Sequence, residues 1–218
     1  MVLPACTKSG VPSTSATVNQ PLLISIPDSP IVDVSYSAFA PGVQRAPAVN
    51  PEYQVPIGTK LLSHNCPVTS SDKEPIIGSF DMLTDGVFGH KEDIVEYSGG
   101  ARWVQVDLQQ DAKITAIGIW RNGMDLKRVI RSMRIEISRS PDFDGKSVVV
   151  FNNGGQRPPQ TEHDDVVSPP YEDSRFGKVI VLKRPTMARF VRIFTDDADW
   201  TRFAELMVFG LEVNSGHQ

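Results

Sequence analysis

The chain has 218 residues, 40% of them hydrophobic, so it is long enough for one substantial domain with an extension. Its formal net charge of -4 argues against a nucleic-acid partner, because phosphate binding requires a concentrated basic face. No run approaches the roughly 18 apolar residues of a membrane helix, so the sequence predicts no membrane span.

Residues 1–20 are mostly polar, and we expect them to form a disordered tether. Within this segment, Val2-Leu-Pro-Ala-Cys6 resembles the end of a bacterial lipoprotein signal, in which Cys6 would carry the lipid. Only five residues precede Cys6, whereas a signal needs a basic start and an apolar run of about seven residues or more. Two alternatives stay open: an upstream part is missing, or the match is due to chance.

Residues 21–57 are rich in proline, which interrupts two short apolar alternations at 22–26 and 31–36. Proline at this frequency excludes helices and central strands. The segment is too short and too broken for a core of its own. It is therefore predicted to be an extended arm that can add an edge strand to the main domain.

From residue 58 to residue 213 the sequence predicts a single all-β domain, followed by a tail at 214–218. Strand candidates with period-two alternation are separated by turn residues such as Asn122-Gly123 and Asp144-Gly145, and helical periodicity is nearly absent. This combination favours an antiparallel β-sandwich or jelly roll. The strand candidates are Trp103–Leu108, Ile114–Trp120, Met133–Ser138, Ser147–Phe151, Lys178–Leu182, Arg189–Thr195 and Ala204–Phe209.

The alternation also predicts which side chains fill the core, although the face can slip by one residue. Cys66 is expected to be a small buried residue, and Trp120 is expected in the core because it lies on a strand. The predicted core further contains Trp103, Val106, Ile117, Ile119, Ile135, Ile137, Val179, Val181, Val191, Ile193 and Val208.

Six segments in order resemble the landmarks of discoidin domains, over roughly residues 58–213. Discoidin domains are the galactose-binding-like jelly rolls of coagulation-factor type C domains and of many bacterial carbohydrate-binding modules. The resemblance implies a non-catalytic binding module of two antiparallel sheets, whose ligand meets loops at one end of the sandwich. The segments are Asn65–Asp72, Leu83–Gly86, Trp103–Leu108, Ile114–Trp120, Ala188–Ile193 and Ala204–Gly210.

The turn Leu83-Thr-Asp-Gly86 is a candidate metal site, because a carboxylate and neighbouring carbonyls in a tight turn suit a hard cation. The resemblance implies a structural calcium ion. His90 departs from the pattern, since an imidazole suits calcium poorly. The alternative is structural: Asp85 caps the turn and Glu205 accepts hydrogen bonds from backbone amides. The implied ligands are the carboxylates of Asp85 and Glu205 and the carbonyls of Met82, Val87 and Ala204.

Two loops carry the residue types that bind sugars, which are aromatic faces and hydrogen-bonding side chains. Trp200 and Arg202 lie in the loop 196–202, and Arg157 and His163 lie in the loop 152–170. For Trp200 the alternative is that the ring packs back onto the sandwich, and for His163 that it is a solvated loop residue.

The sequence contains none of the common catalytic motifs, neither a Gly-x-Ser-x-Gly elbow nor His-Glu-x-x-His, so no enzyme activity is predicted. We expect a secreted or cell-surface module that binds a glycan or glycoconjugate. A protein-binding or surface-adhesion module on the same fold is one alternative. A glycoside-active enzyme is the other, and it would need two carboxylates that flank one bond.

Overall fold

The computed structural model describes residues 18–27, 41–121, 129–144, 146–154, 168–197 and 201–213. These residues form β-strands and one short 3-10 helix, Phe80–Leu83, which confirms the predicted all-β class. None of the helices in these ranges is long and apolar enough to cross a membrane. The strands are β1 (Asn19–Pro21), β2 (Gln54–Pro56), β3 (Lys60–Leu61), β4 (Val68–Ser70), β5 (Val95–Tyr97), β6 (Gly100–Trp120), β7 (Val129–Ile130), β8 (Met133–Ser138), β9 (Val148–Asn152), β10 (Tyr171–Glu172), β11 (Lys178–Asp197), β12 (Thr201–Phe203) and β13 (Glu205–Glu212).

The two longest strands, β6 and β11, pair with each other in antiparallel register over most of their lengths. The first half of β6 and the second half of β11 lie in one layer, with β4, β8 and β9. Their other halves lie in the second layer, with β13 and β3. Four of the predicted strands are thus halves of two continuous ones.

The bend between the two layers lies where the ladder is irregular. The register of β11 against β6 shifts between Val181 and Thr186 and again between Ala188 and Phe190. On β6, Gln109 has a positive φ of 62°, a conformation that L-residues seldom adopt. Irregularities of this kind bend strands and increase their twist.

The main core lies between the two layers. Side chains from both halves of β6 contribute to it, including Val104, Val106, Ile117 and Ile119. Leu206 and Val208 of β13 contribute from the second layer, and Cys66 is buried beside them. The predicted burial of Cys66 is therefore confirmed.

Two predicted core residues are not buried, and two more, Val179 and Trp120, are buried on the outer face of the second layer instead of between the layers. Val181 is 38% exposed, because in this part of β11 the residues that pack towards the core are Ile180 and Leu182. Trp103 lies opposite Phe194 on the outer face of the first layer, where the guanidinium carbon of Arg192 is 4.2 Å from the centre of its ring. For Val181 the predicted face was wrong by one position, whereas Trp103 lies on the face opposite to Val106, which is in the core as predicted.

A second apolar cluster covers the outer face of the second layer, and the arm covers this cluster. Trp120, Met207 and Phe209 belong to the cluster, and Leu22 and Tyr53 of the arm pack against it. The described part of the arm forms a two-stranded sheet, β1 with β2, and its Gln44 makes an isolated parallel bridge with Tyr171 of β10. The described part of the arm packs on a face of the sandwich, and because residues 28–40 lie outside the described residues, the added edge strand stays a prediction.

The Trp120 ring lies directly over Gly118. A Cβ atom on Gly118 would be 2.6 Å from Cζ3 and 2.8 Å from Cη2 of the indole. We therefore expect Gly118→Ala to lower the free energy of unfolding by about 1–3 kcal/mol, as overpacked sites do. Urea denaturation followed by fluorescence would measure the loss. In a Trp120→Leu background the penalty of the alanine should shrink, and an unchanged penalty would contradict the proposed clash.

Candidate functional site

Both ends of β6 lie at the same end of the sandwich, opposite the bend. Arg121 directly follows β6, and its Nε donates a hydrogen bond of 3.1 Å to the carbonyl of Arg202 in β12. Strand β12 pairs with β5, and Ser98, just after β5, accepts hydrogen bonds from Arg102 at the beginning of β6. We call this region, residues 72–102 with Arg121 and residues 201–205, the loop end.

A strip of alternating charges crosses the loop end. Arg202 lies opposite Glu96 in the β12–β5 ladder, and its Nε donates a hydrogen bond to Glu96 Oε2. The Glu96 side chain is only 5% exposed, whereas that of Arg202 is 31% exposed. The buried carboxylate therefore holds the guanidinium while the far side of the guanidinium reaches solvent.

The strip continues through Ser98 to a second ion pair. Arg102 Nε lies 2.8 Å from Asp72 Oδ1, and the Ser98 hydroxyl donates to Asp72 Oδ2 at 3.1 Å. Side chains two residues apart on an extended segment point to the same side, roughly 7 Å from each other, so Ser98 follows Glu96 along one face. We call Arg202, Glu96, Ser98, Arg102 and Asp72 the polar strip.

Of the four predicted ligand-binding residues, the structure describes Arg202 and places it in the polar strip. Its terminal nitrogens make no hydrogen bond within the described part of the chain, so two donor groups remain for a ligand. Trp200, Arg157 and His163 lie outside the described residues, as does Cys6.

The sequence interpretation missed the other four members of the strip. Glu96 and Ser98 lie in the run Val-Glu-Tyr-Ser, where a charged residue alternates with two buried ones. That alternation puts Glu96 on the face opposite to Val95 and Tyr97, but it predicts neither the burial of its carboxylate nor its partner. Asp72 is 130 positions away from Arg202 in the sequence, and only the tertiary fold connects the two residues through Glu96, Ser98 and Arg102.

The two carboxylates predicted to hold a metal ion meet at the edge of the loop end. Glu205 Oε2 accepts a hydrogen bond of 3.1 Å from the Gly86 amide, and Asp85 Oδ1 accepts one of 2.8 Å from the Val87 amide. Gly86 has a φ of +81°, which favours glycine at this position of the turn. These are the bonds of the structural alternative, and they also direct both carboxylates towards the same turn.

The Glu205 carboxyl is almost fully buried, with 1% of the residue exposed. Burial raises its pKa to about 8, the hydrogen bond from Gly86 opposes the increase, and the negative charge of Asp85 adds to it. Ionisation of Glu205 beside Asp85 would place two negative charges at one turn, which a cation would compensate.

The remaining predicted ligands are backbone carbonyls. Among the described residues, no turn or loop hydrogen bond is accepted by the carbonyls of Met82, Val87 or Ala204. The described residues contain no group of three His, Cys, Asp or Glu side chains placed to hold a metal, so His90 does not complete such a group with Asp85 and Glu205. The donor set that fits a cation here is two carboxylates with carbonyl oxygens, which suits calcium.

Comparison with solved structures identifies the architecture. The chain is similar to a family 32 carbohydrate-binding module from C. perfringens NanJ, solved in complex with galactose, with a TM-score of 0.50 and 13% identity over 69% of this chain and 98% of that module. The chain has the fold of the family 32 carbohydrate-binding modules. The predicted galactose-binding-like jelly roll is thereby confirmed as a fold.

Another similar structure is chitosan-binding module 1 from a chitosanase/glucanase of Paenibacillus sp. IK-5. It has a TM-score of 0.49 and 13% identity, over 69% of this chain and 99% of that one. No protein-family model matches the sequence, and no curated protein matches it either.

The raised pKa of Glu205 predicts the pH dependence of stability in the calcium-free protein. Between the ordinary carboxyl pKa of 4.5 and about 8, the folded protein keeps the Glu205 proton while the unfolded chain loses it. The stabilisation that comes from this retained proton is full below pH 4.5 and is lost as the pH rises through 8. We expect Glu205→Gln, which cannot ionise, to gain stability relative to the parent protein by up to about 1.4 kcal/mol per pH unit.

Urea denaturation in the presence of a chelator, at intervals from pH 5 to pH 8.5, would measure this difference. Asp93→Asn, a substitution of a nearby exposed-loop carboxylate that binds the His90 amide, serves as the control. If the stability curves of the Gln variant and the parent run parallel, Glu205 does not titrate in this range.

Proposed function

We propose that the chain is a non-catalytic carbohydrate-binding module that takes a glycan or glycoconjugate at the loop end. The observation that supports this proposal most directly is the polar strip at the loop end of the sandwich. Its guanidinium donors and carboxylate acceptors are held in place by one another, and sugar hydroxyls need both kinds of partner. The NanJ module of the same fold was solved with galactose.

Pre-organisation is the physical advantage of this strip. A free arginine side chain loses rotamer freedom when it binds a ligand, at a cost of about 0.5–1.5 kcal/mol. Glu96 already fixes the Arg202 guanidinium, and Ser98 with Asp72 fixes that of Arg102. Most of this rotamer entropy is therefore lost when the protein folds. Less of it remains to oppose the binding of the ligand.

The test compares arginines at opposite ends of the sandwich. Arg202→Lys keeps a cation beside Glu96 but removes the planar pair of terminal donors, so we expect glycan affinity to fall at least tenfold, or about 1.4 kcal/mol. Arg139→Lys is the control, because Arg139 pairs with Asp111 near the bend, far from the loop end. Isothermal titration with glycans that bind on an array would measure both variants.

Equal effects of the two substitutions would contradict a glycan site at the loop end. If no glycan on the array binds, the alternative of a protein-binding or surface-adhesion module on this fold replaces the proposal. Turnover of an oligosaccharide would favour the third alternative, a glycoside-active enzyme.

The proposed location is the cell surface or the exterior of the cell, where glycans are accessible, and lipidation at Cys6 would anchor the chain there.

We further propose that a structural calcium ion binds at the turn 82–87. The carboxylates of Asp85 and Glu205 and the carbonyls of Met82, Val87 and Ala204 would hold it. The proximity of the two carboxyl groups supports this proposal, since a divalent cation would displace the proton of the buried Glu205 and compensate both negative charges. Bound calcium would fix this turn against the beginning of β13.

Calcium should then stabilise the folded protein. At a calcium concentration about a hundred times the dissociation constant, the expected gain in free energy of unfolding is roughly 2.7 kcal/mol. Asp85→Asn should abolish the increase in melting temperature, whereas Asp93→Asn in the neighbouring loop should retain it. A melting temperature that responds neither to calcium nor to a chelator, in a protein without bound calcium by elemental analysis, would contradict the proposal.

A further inference from the structure

The two cations of the polar strip are each already compensated by a carboxylate. Arg202 is hydrogen-bonded to Glu96, and Arg102 lies 2.8 Å from Asp72. The formal charge of the strip is therefore zero. Both pairs lie in one strip, so a ligand that reaches either guanidinium also approaches a carboxylate.

The other charged residues of the loop end do not make it positive, because the cations Lys73, Lys91 and Arg121 are outnumbered by the remaining carboxylates in the same region. Arg121 is only 7% exposed, and its guanidinium lies over the Phe203 ring, 5.4 Å from the ring centre. The carboxylates of Asp85 and Glu205 lie in the same region, and even with a bound calcium ion their charges would only be cancelled. Lys73 and Lys91 are exposed, but Lys91 lies 3.5 Å from Glu92, and the formal charge of the described loop end is negative, so its field does not favour an anionic ligand.

For a saccharide that carries a carboxylate, binding to this strip is electrostatically unfavourable. Its attraction to one guanidinium is opposed by repulsion from the adjacent carboxylate at a similar distance, while it still loses its own hydration. A neutral saccharide meets neither this repulsion nor the cost of desolvating a charge. Each of its hydroxyls both donates and accepts, so two adjacent hydroxyls satisfy the donors of Arg102 and the oxygens of the partly exposed Asp72 together.

We infer that the loop end selects neutral saccharides over uronic acids and other carboxylate-bearing sugars. This inference rests on the proposed function, because it names the class of glycan for the same site. The selection comes from Glu96 and Asp72, which keep the two arginines from acting as an anion site.

The experiment uses pairs of methyl glycosides that differ only in the oxidation state of C6: galactose with galacturonic acid, glucose with glucuronic acid and mannose with mannuronic acid. Isothermal titration of the full chain with each pair would measure the preference. We expect the neutral member of the pair that binds to have at least tenfold higher affinity. Equal or tighter binding of the uronic acid overturns the inference while the proposed function stands.

Absence of binding by all six sugars, and by any glycan on an array, overturns the proposed function and the inference with it. The two failures are therefore distinguishable, because a uronic acid preference leaves a working glycan site. The titration is repeated at low and physiological salt, since a carboxylate-selective site would lose affinity as salt increases.

Charge-removing variants test the stated cause of the selection. Glu96→Gln and Asp72→Asn each keep the side-chain size and free one arginine from its carboxylate, so each should increase uronic acid affinity relative to the neutral partner about tenfold. Asp111→Asn, which frees Arg139 near the bend, should leave the preference unchanged. Because Glu96 is nearly buried, thermal melting checks that its variant is folded, and the more exposed Asp72 variant gives an independent result. An unchanged preference in both folded variants overturns the inference.

Discussion

The pairing of β6 with β11 is the interaction on which the rest of the structure depends. Both strands pass from one layer to the other, and their register continues on each side of the bend. Hydrogen bonds along this ladder therefore connect the two sheets as well as the strands within each sheet. Because the ladder turns back, both ends of β6 reach the same end of the sandwich, where Arg121 contacts β12.

The arm belongs to the energetics of the domain even though it lies outside the predicted sandwich. The outer face of the second layer carries large apolar side chains, and without a cover it would expose them to water. Leu22, Ile24 and Tyr53 provide that cover. Arg45 of the arm also forms an ion pair of 2.6 Å with Glu172 of β10, so the arm is joined to the sandwich at a second position.

Charge pairing at the loop end has consequences for both stability and recognition. Glu96 is buried, and removal of its partner would leave a desolvated charge, which costs more than the ion pair contributes. The same pairing limits what the site can attract, because a compensated guanidinium keeps its hydrogen-bond donors but loses most of its long-range field. The charge balance at the metal-site turn is different, because the acidic side chains of Asp85 and Glu205 meet there. A bound cation would stabilise both carboxylates.

The sequence by itself determined the all-β class, most of the strands and the Asp85 turn, because period-two alternation and turn chemistry are local properties of the chain. It also named Arg202 among the candidate ligand residues. Only the tertiary structure decided that Val181 and Trp103 point outward, since period-two alternation does not say which of its two faces packs against the other layer. Only the tertiary structure joined Arg202 to Glu96 and the rest of the polar strip, because long-range strand pairing brings these residues together and no local pattern encodes that contact.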